Sequence, residues 1–262
     1  MNIVLILLFL RNNADILSYM TYEAEKDILY PLQDKILTKV FEHQHDWGIT
    51  GVILDGGTAL ARCYLHHRIS YDLDFFVPHH FSIDRLLQKS GKKGLILDNI
   101  SIEDGDKYVT QVHAYSEINN ERLKLSFIED VYEGMWDTVD MNGIHTEEIQ
   151  GLYHRKLRTI TGSGFGEQTQ GARQNARDLF DLYVLHKSVD HIARFIKQAN
   201  QHGANMPVAP FCANIISMPW MDLIDEFDRL VVSDEYSHIN FFREIRDTLV
   251  NEAITLQKEG VS

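Results

Sequence analysis

Two short apolar runs with hard stops constrain this chain most. Gly51-Val52-Ile53-Leu54 ends at Gly56-Gly57, and Asp72-Leu73-Asp74-Phe75-Phe76-Val77 ends at Pro78. The first reads as a buried strand and the second as a strand that alternates at its start. Between them, Thr58 to about His66 has helical composition, with Thr58 placed as the N-cap. A strand, turn, helix and strand in this order need a sheet to belong to. Ser82 caps a further helix carrying Ile83, Leu86 and Leu87, and β-type runs follow at 95–102, 108–118 and 122–128. Turn-rich Glu103-Asp104-Gly105-Asp106 and Asn119-Asn120 part them. Upstream, apolar residues recur at helical intervals from Ala14 to about His45, and Pro31 is expected to split that run into two helices. After Thr146 the pattern is helical almost throughout, with the Gly-rich Thr161–Gly171 stretch ahead of a helix over Gln174–Ser188. The expectation is α+β: a mixed sheet with helices on one side over residues 1–145, then a helical bundle over 146–262.

Composition narrows the function classes. A formal charge of −13 over 262 residues excludes a protein that is basic overall, as one coating a nucleic-acid backbone would be. Cys63 and Cys212 are far apart and form no metal-ligand pattern, so they read as free thiols in a reducing cytoplasm. The apolar start, Met1 to Leu10, is about half a membrane span and lacks a basic leader, so no membrane partner is expected. The histidines His66-His67 and His79-His80 are adjacent pairs, and neighbours on a strand or helix do not face one target. They read as surface and loop residues.

The chemistry concentrates at the first two strands. A strand that ends in two glycines and leads into a helix brings bare amides to a helix N-terminus, which suits a phosphate. On a strand, Asp72 and Asp74 point the same way, roughly 6–7 Å apart, an unfavourable pair unless solvated, matched by cations or holding a metal. Leu73, Phe75 and Val77 take the opposite, core-facing side. Carboxylate oxygens favour Mg²⁺ (or Mn²⁺) completed by phosphate oxygens and water. Further along, the stretch 151–177 holds Arg155, Lys156, Arg158, Arg173 and Arg177 against Glu167 alone, a local basic cluster able to hold a triphosphate or an RNA end. Asp178 and Asp181 share a helix face, and Arg177 and Asp181 form an i,i+4 pair.

Gly56-Gly57-Thr58-Ala59-Leu60 followed by Arg68-Ile69-Ser70-Tyr71-Asp72-Leu73-Asp74-Phe75 resembles the AbiEii/AbiGii abortive-infection toxin family, nucleotidyltransferases of the DNA polymerase beta-like superfamily. Two looser matches are Tyr153-His154-Arg155-Lys156-Leu157 and Arg177-Asp178-Leu179-Phe180-Asp181-Leu182. The resemblance implies a nucleotidyltransferase-fold sheet that binds an NTP and transfers NMP to an acceptor, RNA (tRNA) or protein. It also implies the toxin half of a toxin–antitoxin or phage-defence pair, with a cognate antitoxin. Asp72 and Asp74 would hold the metal; Gly56, Gly57, Thr58, Arg68, Ser70, Lys156, Arg177 and Asp181 would surround the nucleotide; Lys156 and Asp178 would join the catalytic set. Such enzymes usually carry a third carboxylate on a neighbouring strand, and the expected place, about Ser126, holds none. Glu129 or Asp130 is the substitute to look for. Otherwise the chain is a nucleotide-binding regulatory module without turnover.

Overall fold

The computed structural model describes residues 21–103, 109–162, 175–237 and 241–259. The apolar start and nearly all of the Gly-rich stretch lie outside these residues. Helix α1 (Tyr22–Trp47) begins at Thr21, whose side chain accepts from Ala24 N at 3.3 Å, and ends at Gly48 with φ 76°. It runs straight through Pro31, contrary to the expected split. An interior proline costs about 3 kcal/mol. Leu29, Leu32, Ile36, Leu37 and Val40 are all buried along the same helix, and each such side chain contributes roughly 1.5–3 kcal/mol. Packing outweighs the missing hydrogen bond.

Strand β1 (Ile53–Asp55) leads directly into α2 (Gly56–Ala59), which continues as a π-helical stretch, Leu60–Leu65. The N-cap is Asp55, not Thr58. Thr58 lies inside the first turn, buried, and its hydroxyl donates to the Asp72 carbonyl, so it ties the helix to the next strand instead of capping it. Then come β2 (Leu73–Val77) and α3 (Ile83–Lys92), capped by Ser82 as expected. Strands β3 (Asp98–Glu103), β4 (Gln111–Ile118) and β5 (Glu121–Glu129) follow. Two more short strands, β6 (Thr138–Met141) and β7 (Ile144–Glu147), form a hairpin that the sequence reading missed. Its two-residue turn, Asn142-Gly143, has φ of 57° and 85°, the left-handed pair that matches strand twist.

The seven strands form one mixed sheet in the order β3-β4-β5-β2-β1-β7-β6. β1 and β2 are antiparallel, while β5 runs parallel to β2 and β7 parallel to β1. The sheet ends at Glu147, so the division expected at 145/146 falls within its last strand. Beyond it are α4 (Ile149–Thr161), α5 (Ala176–Ser188), α6 (Ile192–Gln201) and α7 (Val208–Ile216). A 3-10 turn (Trp220–Leu223), α8 (Ile224–Asp228) and α9 (Phe241–Lys258) complete the helical part. Leu157 and Ile160 of α4, Leu179 and Phe180 of α5, Phe211 of α7 and Leu249 of α9 are fully buried. The architecture is α+β.

The two faces of β2 divide the labour. Leu73, Phe75 and Val77 are buried, and Phe41 of α1 meets Phe75 edge-on at 6.4 Å. The opposite face turns toward the C-terminal helices: the Arg155 guanidinium of α4 lies 4.4 Å from the Phe76 ring centroid. Backbone contacts also join the halves. Ile69 N donates to Val231 O (2.8 Å) and Ser233 N to His67 O (3.0 Å), flanking a bridge between Arg68 and Val232. Among the described residues no helix is long and apolar enough to cross a membrane.

Candidate functional site

Asp74 sits on the half-buried face of β2 and Asp72, also half-buried, directly precedes that strand; both lie beside the start of α2. Asp74 is in register with Asp55 of β1 on one side and Ser126 of β5 on the other. Gly56 has φ 70°, which an L side chain rarely adopts, and a Cβ there would lie 3.0 Å from Asp74 Oδ2. At Gly57 a Cβ would come within 2.3 Å of Arg68 Nη2 and 3.2 Å of Ser70 Oγ. Both glycines are therefore required by close approach. Arg177 of α5 reaches across to Asp72, Nη1 to Oδ2 3.5 Å, with half of its side chain exposed. It does so in place of the i,i+4 pairing with Asp181 that helix spacing suggested, because Asp181 is taken from the other side.

Asp181 is a buried hub between the two halves. It accepts from Arg68 through two bonds, Nε to Oδ1 2.6 Å and Nη2 to Oδ2 2.8 Å. His67 Nε2 lies 2.7 Å from Oδ1, and Lys156 Nζ 2.8 Å from Oδ2. Lys156 also donates to Asp178 at 2.7 Å, and Asn175 holds the other Asp178 oxygen at 2.8 Å. Burial alone would raise the Asp181 pKa, but Arg68 and Lys156 outweigh it and hold the carboxyl well below its usual range. Asp178 is lowered in the same way, with Lys156 overcoming its burial. Burial also acts to lower Lys156, and Asp178 and Asp181 reverse that and raise it. His67, fully buried, is lowered by desolvation against the pull of Asp181, so it is a neutral donor. Of the pair His66-His67, His66 is exposed as expected and only His67 departs from the surface role, buried where the 67–69 segment bridges to Val232.

A second buried cluster lies beside Phe76. Arg155 pairs with Asp130 (2.9 and 2.8 Å), Glu147 (2.8 and 2.7 Å) and Asp55, Nε to Oδ2 2.7 Å. Three carboxylates share one cation. Burial, opposed by Arg155 and reinforced by Glu147 and Asp130, pushes the Asp55 carboxyl up to about 7. This is the residue that caps the glycine turn, so the turn is tied to α4 through Asp55 and Arg155. The sequence reading missed Asp55, Asp130 and Glu147 as a unit; the one visible signal was an acidic residue directly before Gly56-Gly57.

Among the described residues, the basic stretch mostly turns inward, with Arg177 half exposed. Arg155 and Lys156 are neutralised internally, and Arg158 donates to the carbonyls of Ala204 (2.7 Å) and Asn205 (3.0 Å). Arg173 lies outside the described residues. On the β5 side no third carboxylate stands next to Asp74, and Asp55, its neighbour on β1, is buried and paired with Arg155. Ser126 occupies that register position, 2% exposed, its Oγ 3.0 Å from His113 Nδ1. Asp130 is held by Arg155. Glu129 is paired with Val77 at the strand end, and it accepts from His80 N (2.7 Å) and Thr110 N (3.1 Å). Its odd offset from Ser126 puts it on the other sheet face. The structure brings together Gly56, Gly57, Thr58, Asp72, Asp74 and Arg177, with Arg68, Ser70, Lys156, Asp178 and Asp181 packed behind them.

Two hard carboxylates, one on β2 and one just before it, against a turn that admits no Cβ, form a donor set that fits Mg²⁺ or Mn²⁺. Cys63 and Cys212 are free thiols, as expected.

Residues 50–212 match the model of a family described as nucleotidyl transferase AbiEii toxin, type IV TA system. Two solved structures share the fold. One is JHP933 from Helicobacter pylori, 22% identical with a TM-score of 0.51, covering 88% of this chain and 94% of that one. The other is a putative nucleotidyltransferase from H. pylori, 22% identical with a TM-score of 0.50, covering 87% of this chain and 95% of that one. No curated protein gives a significant sequence match.

Proposed function

The chain belongs to the AbiEii nucleotidyltransferase toxin family of type IV toxin–antitoxin systems, and on that premise we propose that it transfers NMP from an NTP to an acceptor, RNA (tRNA first) or protein. The observation that carries this reading is the placement of Asp74 on β2, and of Asp72 just before it, against the first turn of α2 at Gly56-Gly57-Thr58. The first turn of α2 offers its amides to the triphosphate, and the bare Gly56 and Gly57 backbone lets a phosphate approach closely. A magnesium ion held by Asp72 and Asp74 would draw charge from the phosphates and fix their geometry. Arg177, half exposed, is placed to move from Asp72 onto a phosphate oxygen. The acceptor hydroxyl forms the new bond to the α-phosphorus as the bond to pyrophosphate breaks. Its proton passes to water, since Ser126 stands where a neighbouring carboxylate would take it.

Arg68, Lys156, Asp178 and Asp181 act in this scheme as positioning residues. Arg68 backs directly onto Gly57, and the Asp181 hub fixes Arg68. The action takes place in the cytoplasm, where NTP and RNA are both available, and an antitoxin restrains it. Incubation with NTPs labelled at the α-phosphate, Mg²⁺, tRNA and then cell protein tests the reading. Equal label transfer by wild type and by the Asp72→Ala/Asp74→Ala double variant would sink it.

One observation favours a second reading. With Ser126 beside Asp74, the chain binds NTP as a regulatory module without turnover. Calorimetric NTP binding with no transfer to any acceptor would select it.

A further inference from the structure

The pair His79-His80 does not behave as adjacent residues on a strand would. β2 ends at Val77, and the chain turns at Pro78; His80 has φ 59°, in the left-handed region. That turn removes the alternation which would send the two rings apart. The rings instead lie close together, centroids 3.7 Å apart and planes tilted by 36°, and His79 Nδ1 meets Glu129 Oε1 directly. His80 Nδ1 lies 3.7 Å from the same oxygen. One donor atom from each of His79, His80 and Glu129 falls within 4.8 Å of the other two.

We propose that His79, His80 and Glu129 form a binding site for a borderline divalent cation of the Zn²⁺ class, separate from the Asp72–Asp74 pair. Two imidazoles and one carboxylate are the donor types that Zn²⁺ takes, at about 2.0–2.2 Å each, which sets ligand atoms roughly 3.3 Å apart. The observed separations need only small side-chain rotations to reach that. The carboxylate is prepared for the role. Glu129 is 5% exposed, and the amides of His80 and Thr110 donate to its two oxygens. A buried anion oriented by two backbone donors is what lies behind many ligating carboxylates. The imidazoles complement it: they are 58% and 83% exposed, so an ion reaches them without opening the fold, and water fills the remaining coordination position.

The site is selective by donor type. Mg²⁺ prefers the oxygen pair at Asp72 and Asp74, whereas imidazole nitrogens favour Zn²⁺, Ni²⁺ or Cu²⁺. It is also set apart: Asp74 and the end of β2 at Val77 are three strand residues apart, roughly 10 Å, and the histidines lie beyond the turn that follows. A bound ion would join the exit of β2, the end of β5 and the start of β4, because Thr110 is tied to the same carboxylate. The cluster His186, His191 and Glu252 also meets the distance criterion. There, however, His186 Nδ1 and Glu252 already accept from Ile192 N (3.3 Å) and Ala193 N (2.9 Å) at the start of α6. Those side chains cap a helix.

The test uses tag-free, chelator-stripped full-length protein titrated with Zn²⁺ by calorimetry in 5-fold excess Mg²⁺ over protein. The expected result is that His79→Ala/His80→Ala lowers the stoichiometry by one equivalent, and that Glu129→Gln weakens that equivalent at least tenfold. Asp72→Ala/Asp74→Ala and His191→Ala should each retain it. Co²⁺ bound at the same site should give the intense visible absorption of a four-coordinate ion, lost in the double histidine variant. The two histidines are exposed, so the double histidine variant is expected to fold, which its melting curve checks. Equal Zn²⁺ stoichiometry and affinity in wild type and His79→Ala/His80→Ala overturns the proposal, as does the absence of any saturable Zn²⁺ binding.

Discussion

Replacing Asp181 by Asn removes the one negative charge that Arg68, His67 and Lys156 converge on, while keeping the side chain's shape. Arg68 keeps its bond to the Ile69 carbonyl but loses both charge-assisted bonds to the hub. Lys156 retains Asp178. Breaking a buried pair from one side costs about 3–5 kcal/mol, because the partner charge stays buried. Asn still accepts one bond, so the lower end, about 3 kcal/mol, is expected. That is about two powers of ten in the unfolding constant and a fall in melting temperature of roughly 6–12 °C. Urea unfolding followed by tryptophan fluorescence and circular dichroism measures it. Asp181→Asn and Arg68→Met should couple by about 2 kcal/mol in a double-mutant cycle. The pH dependence has a defined sign. The folded carboxyl is depressed, so its stabilisation is present above the unfolded value, near 4, and is lost as pH falls through the lower folded value. The gap between wild type and variant should therefore shrink below pH 4. A loss under about 1 kcal/mol at pH 7 with an unchanged urea slope, or a gap that widens in acid, refutes the hub argument.

Three further outcomes follow from the same geometry. Gly57→Ala drives a Cβ into Arg68 Nη2; overpacking costs about 1–3 kcal/mol, and displacing the turn should cut transfer about 100-fold, which single-turnover assays and melts would separate. Ser126→Asp puts a third carboxylate beside Asp74; it should destabilise the metal-free protein and make its melting temperature rise more with Mn²⁺ than wild type does. Asp55 has a folded pKa raised from 3.8 to about 7, so its contribution is full below the unfolded value and is lost as pH rises through the folded one. Relative to Asp55→Asn, wild type should lose stability from pH 4 to 7 and then level off, as melts across that range would report.

Much of the fold was legible because its signals are local. The stops at Gly56-Gly57 and Pro78 delimit β1 and β2, and alternation alone assigns Asp72 and Asp74 to one face and Leu73, Phe75 and Val77 to the other. Asn119-Asn120 marks the β4–β5 hairpin in the same way. The failures are non-local. The helix through Pro31 is decided by what packs against it, and the capping of α2 by Asp55 depends on Thr58 being drawn to Asp72. The β6–β7 hairpin was overlooked since its strands are four residues each, although Asn142-Gly143 signalled the turn. A tally of charge over 151–177 cannot see that Arg155 and Lys156 turn inward, toward partners contributed by positions 55, 130, 147, 178 and 181. The position of Ser126 beside Asp74 was inferable once both strands were placed, because parallel register fixes it.

The central claim is that Asp72, Asp74 and the Gly56-Gly57 turn hold an NTP for attack at its α-phosphorus. The most direct measurement supplies wild-type protein, Mg²⁺ and tRNA or cell protein with the same NTP labelled either at the α- or at the γ-phosphate. The account predicts covalent acceptor label from the α-labelled nucleotide only, with the γ-label recovered in pyrophosphate. Acceptor label from the γ-phosphate, or label from neither position with any acceptor, contradicts it.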